Sequence, residues 1–197
     1  LRRRIAIPDR IRLRGTAGAD KGAFSAASTL STDGGEIALQ GQLDTRSEAY
    51  GIELRCDSFP LNSFLPADSL GLLDLALQAG GSGFDPLRAQ TRGNIRLQVD
   101  RAEFRGRDFG GVKLNANLEG GQLSGRLSDR DEALRLLLLI SGTLTERKQE
   151  VRLTGNVFDF DLAELGISPQ KIGGSFALEA GASASDAGSY TARIALD

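Results

Sequence analysis

Apolar residues recur at every second position along most of the chain, with polar or small residues between them, the pattern a β-sheet with one buried face requires. Ile37, Leu39, Gly41 and Leu43 alternate with Ala38, Gln40 and Gln42. The same phase runs through Ile11 and Leu13; Ile52, Leu54 and Cys56; Leu73, Leu75, Leu77 and Ala79; Ile95, Leu97 and Val99; and Val112, Leu114, Ala116 and Leu118. It continues through Leu134, Leu136, Leu138 and Ile140, then Val151 and Leu153, Phe176 and Leu178, and Ala192, Ile194 and Leu196. Turn signals at Asp33-Gly34-Gly35, Gly80-Gly81-Ser82-Gly83 and Glu119-Gly120-Gly121 predict short connections between antiparallel neighbours, giving about a dozen strands.

The run Ala133 to Ile140 could pass for a helix, but Arg135 interrupts it while Gly142 and Leu144 carry the alternation onward. It reads as a strand whose second face is also partly covered. Two stretches leave the pattern: Leu61-Asn62-Ser63-Phe64-Leu65 after Phe59, and Asp161-Leu162-Ala163-Glu164-Leu165 after Phe158. Asp161 with Glu164 three residues later forms a capping box for one helical turn, and Asn62 is placed to cap the first copy.

Residues 11–80 laid over 112–181 reveal one unit used twice, with length changes confined to turns and the helical corner. Ile11 and Leu13 fall on Val112 and Leu114, and Gly41 and Leu43 on Gly142 and Leu144. Ile52, Leu54 and Phe59 meet Val151, Leu153 and Phe158, while Leu75, Leu77, Ala79 and Gly80 meet Phe176, Leu178, Ala180 and Gly181. The connector, 81–111, holds strands of its own around Ile95 to Val99 and Phe104. A sheet can extend by adding unit to unit, so one elongated, all-β, largely antiparallel body over 1–197 is expected, with short helical turns at its corners.

Composition narrows the function. The 197 residues contain no His, so the usual general base and the commonest metal ligand are missing; no catalytic set, metal site or cofactor is expected. Asp159 and Asp161 read as cap residues, because calcium needs several more oxygen ligands at fixed spacing. Gly173-Gly174-Ser175 and Gly110-Gly111-Val112-Lys113 lack phosphate-loop spacing and read as turns and strand glycines. The 24 Lys and Arg nearly balance the 26 Asp and Glu, and the local excess at Arg2, Arg3, Arg4, Arg10, Arg12 and Arg14 suits the solvated face of a strand pair, so no nucleic-acid partner is expected. Cys56 is the single cysteine and falls in phase with Ile52 and Leu54, as a small buried hydrophobe would. The absence of Met leads us to expect a piece of a longer protein, whose signal or anchor lies elsewhere.

The repeated phrase Gly41-Gln42-Leu43 and Gly142-Thr143-Leu144, the capped turn Phe158-Asp159-Phe160-Asp161-Leu162-Ala163-Glu164-Leu165, and the Gly-rich strand Ile172-Gly173-Gly174-Ser175-Phe176-Ala177-Leu178-Glu179-Ala180-Gly181 resemble the AsmA-like proteins. Within these, the chain is most similar to the TamB translocation and assembly module family, to which Gly83-Phe84-Asp85-Pro86-Leu87 adds a further likeness. The resemblance spans most of the chain without invariant catalytic positions. It implies a sheet folded over along its length, taco-like, whose apolar interior carries phospholipid through the periplasm between inner and outer membranes. It also implies an inner-membrane anchor and an outer-membrane barrel partner that assembles membrane proteins, both engaged through regions outside this piece.

The expected lining of such a groove is Ile37, Leu39, Leu43, Ile52, Leu54, Leu75, Leu77, Val112, Leu114, Leu136, Leu138, Ile140, Val151, Leu153, Phe176 and Leu178. The same rows would equally serve a closed sandwich core. A repetitive β stalk or adhesion module with a filled interior is therefore the alternative, and an enzyme on a β scaffold would need a polar cluster that the sequence does not offer.

Overall fold

The computed structural model describes residues 9–64, 70–185 and 190–196; Arg2, Arg3, Arg4 and Leu65 lie outside them. The chain is all-β. Its strands are β1 (Ile11–Asp20), β2 (Ala23–Thr32), β3 (Glu36–Asp44), β4 (Ala49–Pro60), β5 (Leu70–Ser82), β6 (Arg92–Phe104), β7 (Arg107–Phe109), β8 (Val112–Glu119), β9 (Gln122–Arg130), β10 (Leu134–Leu144), β11 (Lys148–Asp161), β12 (Gly173–Ser185) and β13 (Tyr190–Leu196). They form one open antiparallel sheet in chain order, β7 lying off the path as a partner of β6.

Contacts gather the chain into two units. The first runs to Gly80 and includes Leu97–Gly111; the second takes Gly81–Arg96 and the chain from Val112 onward. Each holds one copy of the repeat, strand for strand: β1 to β5 correspond to β8 to β12. The copies agree in register as well as in order. Gly41 pairs with Ile52 and Leu39 with Leu54, as Gly142 pairs with Val151 and Ile140 with Leu153.

Three hairpins close on two-residue turns in which both central residues have positive φ: Lys21 and Gly22 (44° and 92°), Arg105 and Gly106 (54° and 75°), and Gly120 and Gly121 (58° and 73°). This geometry matches the right-handed twist of the flanking strands. The glycine-pair signal marks the third turn alone, since Lys21 and Arg105 are not turn-forming types. In Gly80-Gly81-Ser82-Gly83 the expected turn is displaced. Gly80, Gly81 and Ser82 continue β5, and the chain first turns at Gly83, φ 84°. The loop that follows closes on Asp85, whose carbonyl accepts the Thr91 hydroxyl at 2.5 Å and whose carboxylate accepts the Leu87 N–H at 3.0 Å.

Both corners turn where expected, by different means. Asp161 caps the second, its Oδ1 accepting the N–H groups of Ala163 at 2.9 Å and Glu164 at 3.2 Å, while its own N–H donates to the Ala133 carbonyl. Asn62 does not cap the first. It sits inside the 3-10 turn Leu61–Ser63, behind Pro60, and the turn is held by Phe59 stacked on Phe64 with ring centroids 5.1 Å apart.

One further expectation is corrected. Phe158 falls on Phe59 in sequence, but Phe59 is 5% exposed and Phe158 47%. A register shift in β11 between Val157 and Phe160 resets the phase, so Phe160 pairs with Leu134 and meets Phe176 edge-on at 5.8 Å. The second face of β10 is partly covered: Leu137 is half-buried, while Leu139, opposite Arg126 and Thr154, is 53% exposed.

In the first unit a polar clasp ties β4, β5 and β6. Asp74 accepts the Ser58 N–H and, at 2.8 Å, the Arg101 Nε–H, and Arg101 Nη2 lies 3.4 Å from Ser58 Oγ. Ser58 has φ 49°, a conformation costing a non-glycine residue about 1 kcal/mol, and the clasp holds it there. Asp74→Ala leaves the half-buried guanidinium and the Ser58 N–H without that acceptor. It is expected to lower stability by about 1–3 kcal/mol, read as an earlier urea midpoint with unchanged slope.

Candidate functional site

Directly opposed residues of antiparallel strands share a face, so the registers trace which side chains lie together. In the first unit one face carries four cross-strand rows over β1 to β4: Leu13-Leu30-Ile37-Cys56, Gly15-Ser28-Leu39-Leu54, Ala17-Ala26-Gly41-Ile52 and Ala19-Phe24-Leu43-Tyr50. Every position is apolar or small except Ser28 and the phenol of Tyr50. The other face carries Arg12, Arg14, Glu36, Gln40, Gln42, Glu53 and Arg55. Leu75 and Leu77 occupy the side of β5 opposite Asp74, whose carboxylate is committed to the clasp, and both are half-buried.

The second unit repeats the arrangement over β8 to β12. Its rows are Leu114-Leu127-Leu138-Gly155-Leu178, Ala116-Gly125-Ile140-Leu153-Ala180 and Leu118-Leu123-Gly142-Val151-Ala182, with Leu136, Val157 and Phe176 beyond them. Val112 shares the side of Leu114 two residues along β8. Five of the expected lining residues thus share one face of the first unit, Leu75 and Leu77 standing beside them on β5, and the other nine share one face of the second.

These faces are only partly covered. Among the described residues the buried apolar side chains are Cys56, Phe59, Ala133, Leu138 and Val157, and none is more than 98% buried. Of the expected lining residues Leu138 is buried (5% exposed), Leu39 and Ile52 are exposed (40% and 41%), and the rest are half-buried. In the first unit the face is concave. A cavity of about 590 Å³ opens over Ala17, Ala19, Phe24, Ala26, Leu43 and Ile52, and one of about 410 Å³ adjoins it over Gly15, Ser28 and Leu39. Both border Ala17, Ala26, Gly41 and Ile52, the row whose first three side chains are a methyl group or less.

Sequence reasoning missed the contribution of β2, because its centre, Ser25-Ala26-Ala27-Ser28-Thr29, carries small residues on both parities and hides the phase. Phe24 and Leu30, six residues apart and so on one face, are the signal that could have found it.

The floor glycines of the two copies differ. A Cβ on Gly41 would meet only the Gly51 carbonyl oxygen, at 3.9 Å, whereas one on Gly142 would collide with the Glu150 carbonyl. Gly41 therefore marks open space and Gly142 close approach of two backbones.

Two buried titratable groups lie on the apolar faces among the described residues. Burial, with a smaller push from the Asp74 charge, raises the Cys56 thiol above its usual range and keeps it protonated, as suits an inert packing residue. Asp129, opposite Leu136, is 8% exposed, and loss of water raises its carboxyl above the ordinary value although Oδ1 accepts the Asp131 N–H at 2.9 Å.

Comparison with protein-family models, curated proteins and solved structures finds no match to this chain.

Gly41→Phe is expected to fill the trough, reducing the fluorescence of a bound apolar dye while leaving the unfolding midpoint near wild type. Gly142→Ala should instead cost about 1–3 kcal/mol. For Asp129 the folded state holds its proton more tightly, so wild-type stability falls as pH rises from 3.8 through the raised folded value. Asp129→Asn keeps the acceptor and removes the charge. It is expected to raise the thermal midpoint at pH 7, with the gain fading toward pH 3.8, checked by thermal scans across that range.

Proposed function

We propose that the chain is a periplasmic segment of an AsmA-like, TamB-type protein, and that its apolar faces hold the acyl chains of phospholipid in transit between inner and outer membranes. The observation that carries this reading is the continuous apolar face of each repeat unit, register-locked across at least four strands and left half-exposed. Moving one methylene into water costs about 0.8 kcal/mol, so two acyl chains exposed together would cost on the order of 20 kcal/mol or more. A trough lined by Leu39, Ile52 and their neighbours removes most of that barrier while the headgroup stays in water.

Such transfer needs no nucleophile, acid or base, and we assign no catalytic residue. An outer-membrane barrel partner would engage the full-length protein through another region. The filled interior of a stalk or adhesion module would bury Leu39 and Ile52 completely, and their exposure favours the trough.

Protein purified from a two-membrane bacterium is expected to carry phospholipid in native mass spectrometry with lipid extraction. Leu39→Glu combined with Leu138→Glu should lose it. Gln40→Glu, on the opposite face, should retain it. Well-folded wild type without lipid, or equal loss from Gln40→Glu, would overturn the reading.

A further inference from the structure

The two copies of the repeat differ most where the first trough is hollow. Ala17 and Ala26, opposed in β1 and β2, have as counterparts Leu118 and Leu123, opposed in β8 and β9. Each leucine sets an isobutyl group where the first copy has a methyl, and both leucines are half-buried. Gly41 and Gly142 continue these rows, the first facing open space and the second pressed against the Glu150 carbonyl. The β1–β2 hairpin also runs one row further before it turns, adding Ala19 and Phe24, whereas β8 and β9 turn directly after Glu119 and Gln122.

Resting on the trough reading above, we propose that the first unit is a seat for both chains of one diacyl lipid, whose width is set by the side chains at 17 and 26. The second unit, narrowed by Leu118 and Leu123, takes a single chain at the matching row.

The dimensions of the hollow carry this assignment. It extends from Gly15 to Ala19, about 14 Å along the strand, and across β1 to β4, about 14 Å in the other direction. Its two parts, about 590 and 410 Å³, adjoin over Ala17, Ala26, Gly41 and Ile52. At about 30 Å³ for a group the size of a water molecule or a methylene, they hold roughly thirty such groups together. That is the hydrocarbon of two long chains, and a lone chain would leave about half of the space to water.

The same lining argues against a peptide as occupant. Backbone groups of β2 and β3 are spent in ladders on both sides, and of the side chains over β1 to β4 on this face only Ser28 and Tyr50 offer a hydrogen bond. The N–H and C=O groups of a bound segment would go unsatisfied there, whereas hydrocarbon asks for no partner.

The test uses lipid-stripped full chain and two photoreactive probes with one phosphoglycerol headgroup, a dipalmitoyl lipid and its single-chain lysolipid, each with a diazirine on a palmitoyl chain. Adducts are mapped by peptide mass spectrometry. In wild type the diacyl probe should label β1 to β4 in preference to β8 to β12, and the lysolipid should label both units. Ala17→Leu combined with Ala26→Leu, which installs the second copy's side chains, should lower diacyl labelling about tenfold, the effect of returning about two methylenes to water. Lysolipid labelling should change less than about twofold, with an unchanged far-ultraviolet spectrum. The wild-type map decides the matter even where that variant fails to fold. Diacyl labelling spread equally over the two units, a variant that keeps diacyl labelling, or equal loss of both probes would overturn the two-chain seat and leave the trough standing. Absence of labelling by either probe in well-folded wild type would overturn both.

Discussion

Cross-strand register is the constraint on which the rest of this structure depends. Side chains alternate with a period of two, so a slip of one residue in any ladder would carry a whole strand's apolar set to the polar face. Over β1 to β4 the cross-strand pairs run without a break, and the result is four rows in which Leu30, Ile37 and Cys56, or Ala26, Gly41 and Ile52, meet on one side. The polar set follows automatically to the other. The hairpins at Lys21-Gly22, Arg105-Gly106 and Gly120-Gly121 reinforce the phase, since a two-residue turn with both φ values positive fixes which residues stand opposite each other.

Where the register is reset, a specific device resets it. In β11 the shift between Val157 and Phe160 moves Phe158 off the apolar face and brings Phe160 onto it, against Phe176. In β4 the left-handed Ser58 lets the strand end with Phe59 buried, and Asp74 and Arg101 hold that backbone in place. The two copies thus reach a comparable apolar face by unequal routes, a bulge in one and a salt-bridged kink in the other. The same inequality separates Gly41, which leaves room over the floor, from Gly142, which lets β10 and β11 approach.

An apolar face that its own chain leaves half in water carries a free-energy penalty, which falls when something else covers it. Bound acyl chains would offset that penalty. Asp129, 8% exposed opposite Leu136, marks a covered end of the second unit's face, and burial there raises its carboxyl above the ordinary value.

Much of this was legible in the residues. Alternation placed the strands, and phase sorted Leu39 from Gln40 and Leu54 from Glu53. Self-similarity exposed the repeat, because each of these signals is local: it depends on how a strand presents successive side chains. The capping carboxylate of Asp161 was legible for the same reason. Other features depended on partners distant in sequence. Gly80 to Ser82 look like a turn and extend a strand, Asn62 looks like a cap and is not one, and Phe158 matches Phe59 yet faces the other way. The sequence by itself determined an all-β chain with one apolar and one polar face per strand, twice over. Only the tertiary structure decided where the ladders shift, how far each row is covered and which floor positions stay open, since those follow from neighbouring strands and not from the strand's own period.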